Sequence, residues 1–84
     1  MKIQIEDKLF VESDERQFIV KQYNGKFDDK GVEGYKPLGY FSKLQQAVKF
    51  LVKHELMKSN AETIGELLSD LERIEKRLEE LIRI

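Results

Sequence analysis

The 84-residue sequence predicts an α+β fold: a small antiparallel sheet of three or four strands, followed by two α-helices. Three observations carry this reading. Residues 1–41 alternate apolar and polar side chains with a period of two, as half-buried strands do. The same stretch holds the only Pro and all but one of the aromatics. Residues 42–84 then switch to helical spacing, interrupted once around Ser59 and Asn60.

In the first strand, Ile3 and Ile5 alternate with Lys2, Gln4 and Glu6, and Asp7-Lys8 makes a turn. Leu9, Phe10 and Val11 form a short second strand that ends in the polar run from Glu12 to Arg16. Residues 17–23 (Q-F-I-V-K-Q-Y) form a third, rich in β-branched and aromatic side chains. Residues 35–41 (Y-K-P-L-G-Y-F) form the fourth. Pro37 has no N–H to give a ladder, so it belongs at an edge or a bulge. Turn signals at Asn24-Gly25 and Asp29-Lys30-Gly31 predict that the last two strands continue as a long hairpin. Its tip falls near Asp29, and residues 27–33 are expected to be exposed and mobile.

The first helix is expected over 42–58, opened by a capping box Ser42-x-x-Gln45. Leu44, Ala47, Val48 and Leu51 make its apolar stripe, and Phe50 and Met57 extend that stripe sideways. Lys43, Lys49 and Lys53 take the solvated face. A second box, Ser59-x-x-Glu62, starts an amphipathic C-terminal helix over 60–84. Ile64, Leu67, Leu71, Ile74, Leu78 and Leu81 follow an unbroken heptad spacing. Glu72–Lys76 and Glu79–Arg83 are i, i+4 pairs in the favourable order. The six heptad residues are either core or the seam of a homodimer. With Asp70 and Arg77 at g and Glu75 at e, the charges favour an antiparallel pairing. All of this fits one domain over 1–84.

Composition removes several classes of function. There is no Cys, hence no disulfide scaffold, zinc knuckle or thiol catalysis. No apolar run reaches the roughly 18 residues of a membrane span, so the chain is expected in the cytoplasm. The lone His54 has no metal-binding neighbour at helical spacing, and neither Ser13 nor Ser69 has a base at a recognisable spacing. Gly25, Gly31, Gly34 and Gly39 are scattered and form no phosphate cradle. No enzyme, no metal and no cofactor are expected. Charge is segregated: residues 1–15 carry a net −3, residues 16–58 a net +5 and residues 59–84 a net −3. A basic middle is one form of nucleic-acid footprint.

Two resemblances add to this. The opening M-K-I-Q-I-E-D, the S-D-E-R-Q-F-I-V and L-G-Y-F-S-K-L-Q-Q-A phrases and the closing E-L-L-S-D-L helix are similar to small uncharacterised proteins of phages and prophages of Gram-positive bacteria. Residues 18–56 resemble the arm-type DNA-binding domain of tyrosine integrases, through Gly39-Tyr40-Phe41-Ser42 running into a helix with Ala47. That family is a three-stranded sheet followed by a helix, and its sheet face reads the major groove. The resemblance implies nucleic-acid contacts from Lys21, Tyr23, Lys26, Lys30 and Lys36. The expected function is a non-enzymatic phage accessory protein in the host cytoplasm. It acts by binding a protein partner, such as a host-defence factor. The alternative is a small nucleic-acid-binding module.

Overall fold

The computed structural model describes residues 1–82. Strands β1 (Lys2–Glu6), β2 (Leu9–Ser13), β3 (Phe18–Phe27) and β4 (Glu33–Phe41) precede helices α1 (Leu44–Leu56) and α2 (Ile64–Ile82). The strands form one antiparallel sheet in the order β1-β2-β3-β4. The chain groups into two compact units, Met1–Ala47 and the chain from Val48 on. Arg83 lies outside the described residues, and with it the pair expected with Glu79.

The period-two pattern sorts the sheet into two faces. Register sets Ile3 opposite Val11 and Val11 opposite Val20. On this face Ile5, Leu9, Val11 and Val20 are 2% exposed or less. Each such side chain contributes roughly 1.5–3 kcal/mol on burial. Among the described residues of the second unit, Leu51, Ile74 and Leu78 are buried.

Turns are set by short polar side chains. Asp7 takes the left-handed conformation, φ 32°, which Asp tolerates better than most residues. The Asp14 carboxylate accepts the N–H of Arg16 at 2.8 Å and of Gln17 at 2.9 Å, bonds that hold its pKa below the ordinary Asp value. The β3–β4 turn is built on Asp28, one residue before the expected tip. Its carboxylate accepts from Lys30 N at 2.8 Å and Val32 N at 2.9 Å. Its own N–H donates to the Val32 carbonyl at 2.9 Å. Asn24-Gly25, expected as a turn, is instead an irregularity within β3, where register shifts between Tyr23 and Phe27. Gly25 sits at φ 75° there, and its N–H donates to the Glu33 carboxylate at 2.7 Å. Pro37 stands on the edge strand β4, beside a shift of register at Val20/Lys21.

Both helices start later than expected, for local reasons. Gln46, not Gln45, reaches back at the start of α1: its side-chain oxygen accepts from Lys43 N and from the Ser42 hydroxyl, both at 3.2 Å. In α2 the box is Thr63-x-x-Glu66. Thr63 Oγ1 accepts from Glu66 N at 3.1 Å, and the Glu66 carboxylate accepts from Glu62 N at 3.0 Å. Ser59 is committed elsewhere: its hydroxyl accepts from Ala61 N at 3.0 Å and donates to the Asp70 carboxylate. The Ser59 hydroxyl, and after it Arg73, hold the Asp70 pKa below the ordinary value. Replacing Thr63 with Ala is expected to cost about 1 kcal/mol through the lost cap. Ser59→Ala leaves the cap in place, so urea midpoints of the two variants separate the two boxes.

Candidate binding face

The side chains opposite the buried face of the sheet form one connected cluster across all four strands. Register sets Lys2 opposite Glu12, Phe10 opposite Lys21, Lys21 opposite Pro37 and Tyr23 opposite Tyr35. At the centre, the Glu12 carboxylate accepts from the Tyr23 hydroxyl and from Lys21 Nζ, the latter at 3.2 Å. Lys21 Nζ also lies 4.1 Å from the Tyr35 ring centre. Lys2 Nζ sits 4.9 Å from the Tyr23 ring and 5.1 Å from Phe10. The Phe10 ring meets Tyr23 edge-on with centres 5.3 Å apart, and Tyr23 and Tyr35 are tilted at 5.7 Å. Each cation over a ring contributes about 0.5–1 kcal/mol at such exposure. The cluster thus holds its own rotamers.

The irregularity near Pro37 has a consequence for this face. Tyr35 and Tyr40 are five residues apart and would alternate to opposite faces of a regular strand. The shift of register puts Tyr40 opposite Ile19, on the same face as Tyr35 opposite Tyr23. Both are presented to solvent, Tyr35 at 48% and Tyr40 at 57% exposure.

The central pair titrates in opposite directions. Burial pushes the Glu12 carboxyl up, but the Tyr23 hydroxyl and Lys21 outweigh it and hold the pKa below the ordinary Glu value. Burial first, then the bond to Glu12 and its charge, push the Tyr23 phenol up to about 12. Folding therefore favours ionised Glu12 and neutral Tyr23. On acidification the unfolded chain protonates first, so the Glu12 contribution is lost as pH falls below about 4.3. On alkalinisation the Tyr23 contribution is lost as pH rises from about 10. Urea titrations of Glu12→Gln and Tyr23→Phe are expected to flatten the acid and alkaline limbs respectively; wild-type limbs in both variants contradict the network.

The five candidate nucleic-acid contacts separate in space. Lys21 and Tyr23 belong to the cluster. Lys36 pairs with Gln22, which places it on the opposite face. Lys26 and Lys30 are exposed in the distal part of the β3–β4 hairpin. Carboxylates interrupt the lysines: Glu12 lies between Lys21 and Tyr23, and Glu33 lies 3.6 Å from Lys8. Of the heptad residues, Ile74 and Leu78 are buried, Leu67 and Leu71 half-buried, and Ile64 is 73% and Leu81 37% exposed. Lys2, Phe10, Glu12, Tyr35 and Tyr40 were not singled out from the sequence. The period-two pattern carries the first three, since Phe10 and Glu12 are each offset by one from buried Val11 and Lys2 by one from half-buried Ile3. Among the described residues, no three His, Asp or Glu side chains converge as a metal site. No helix in the described residues is long and apolar enough to cross a membrane.

Among known proteins, the chain is similar to the uncharacterized 10.2 kDa protein in the GpA 5′ region of Escherichia phage P2. The two are 30% identical over 82 residues, covering 95% of this chain and 90% of that protein. No protein-family model matches the chain, and no solved structure matches it.

Proposed function

The chain belongs to the family of that small phage P2 protein, and on that premise we propose that it is a phage accessory protein that works without catalysis. It binds a host protein, such as a defence factor, in the host cytoplasm, and the open face of its sheet is the contact. The observation that supports this reading is the ordered cluster of Phe10, Tyr23, Tyr35, Lys2, Lys21 and Glu12 beside the exposed Tyr40. Tyr side chains dominate the energetics of many protein interfaces. Rotamers already fixed by neighbours reduce the entropy lost on binding.

The alternative is nucleic-acid binding on the same face, as the resemblance to integrase arm-type domains implies. Lys2 and Lys21 beside stackable rings favour it. Glu12 opposes it, because its carboxylate neutralises Lys21 and repels phosphate at the centre of the face. Immobilised wild-type protein is expected to retain a host protein from a bacterial lysate. The Tyr35→Ala/Tyr40→Ala variant should retain about tenfold less while staying folded, its thermal midpoint lowered by only a few degrees through the lost Lys21 contact. Equal retention by the variant rejects the face. A mobility shift on duplex or single strands at about 50 mM salt, lost at high salt, moves the assignment to nucleic acid.

A further inference from the structure

The two helices carry exposed lines of opposite charge. Lys49 and Lys53 on α1, and Met57 in the turn that follows it, are exposed at spacings of four. Half-buried Phe50 and His54 edge this line, with stacked rings 6.0 Å apart. Phe50, Lys53, His54 and Met57 line a shallow depression of about 240 Å³, and Met57 is 78% exposed. On α2, Ile64, Leu68, Glu72, Glu75 and Glu79 are all exposed and fall on one side of the helix. Ile64 is 73% and Leu68 54% exposed. One line is an apolar depression with a cationic rim; the other is an apolar end running into carboxylates.

We propose that these two lines are complementary in a second copy of the chain. The result is a two-fold homodimer in which α1 of each protomer docks antiparallel on α2 of its partner. Met57 then meets Ile64 and Leu68, and Lys53 and Lys49 reach Glu72 and Glu75. Rise along the helices permits this match: eight residues separate Met57 from Lys49, and eight separate Ile64 from Glu72. Pairing α2 with α2 along this line sets carboxylates against carboxylates, and pairing α1 with α1 sets lysines against lysines. Of the pairings that overlap the full lines, the crossed arrangement alone is free of like-charge contact, and two-fold symmetry forms it twice. Ile74 and Leu78, buried within the chain, take no part. The proposal is independent of the sheet face, since none of its residues lies on a strand.

Sedimentation equilibrium on the full chain, from micromolar to millimolar and at low salt, tests it. Wild type is expected to dimerise reversibly and to weaken with added salt. Lys49→Glu/Lys53→Glu and Glu72→Lys/Glu75→Lys should each raise the dissociation constant about tenfold or more, with unchanged circular dichroism. Mixed in equal amounts, the two variants should re-form a dimer, because every contact is again between opposite charges. If either reversal disturbs the fold, Lys53→Gln and Glu72→Gln give the same reading with smaller shifts. A wild type monomeric at every concentration, a dimer indifferent to both variants, or a mixture that fails to re-form it overturns the proposal.

Discussion

Leu9→Ala is expected to destabilise the protein by about 2–5 kcal/mol, whereas Phe10→Ala, one residue along, is expected to cost about 1 kcal/mol. Leu9 is 1% exposed on the buried face of the sheet. Truncating it removes the transfer free energy of its side chain and leaves a cavity that its neighbours fill only in part. A chain of this length has a total stability of about 4–13 kcal/mol, so the Leu9 variant loses a large fraction of it. Phe10 points the other way, edge-on to Tyr23 at 5.3 Å, with Lys2 Nζ 5.1 Å from its ring centre. Its removal loses an aromatic pair and one cation contact at a half-buried site. Urea unfolding of the two variants at neutral pH measures the difference; equal losses would mean that the two faces are equally buried.

Gly39→Val sets two local tendencies against each other. Val favours strands, on a scale that spans about 1 kcal/mol. A Cβ on Gly39, however, would lie 2.7 and 2.8 Å from two ring carbons of Phe41. The Phe41 ring lies back over the glycine, and displacing a half-buried ring costs about 1–3 kcal/mol. Packing is the larger effect, so the variant is expected to be less stable than wild type despite its better strand propensity. Unchanged or raised thermal stability would show that Phe41 moves aside freely.

The alternation of Ile3 and Ile5 with polar neighbours, and of Leu9 and Val11 around Phe10, made the sheet legible because burial on one face leaves a period-two trace. The long hairpin was legible from the turn residues around Asp29-Lys30-Gly31, and Pro37 announced its edge and bulge through its missing donor. Helix starts were less legible. Ser59-x-x-Glu62 and Thr63-x-x-Glu66 are equally good capping boxes in sequence. What separates them is the bond from Ser59 to Asp70, eleven residues on, which local spacing does not encode. The binding face was legible only in part. Parity places Lys21 with Tyr23, but Tyr40 joins Tyr35 only through a shift of register that the sequence marks with nothing more specific than Pro37. The resemblance that singled out Lys36 says nothing of strand parity, and the pairing with Gln22 sets it on the other side.

Photo-crosslinking in bacterial host cells producing the full chain tests whether the open sheet face is a protein-binding surface. A photoreactive residue at Tyr40 reports from the open face. One at exposed Lys36 reports from the other side of the same strand. If the face binds a protein, a covalent adduct to one discrete host protein forms from position 40, and none to that protein from position 36. Adducts to nucleic acid alone, the same protein adduct from both positions, or no adduct from position 40 would contradict it.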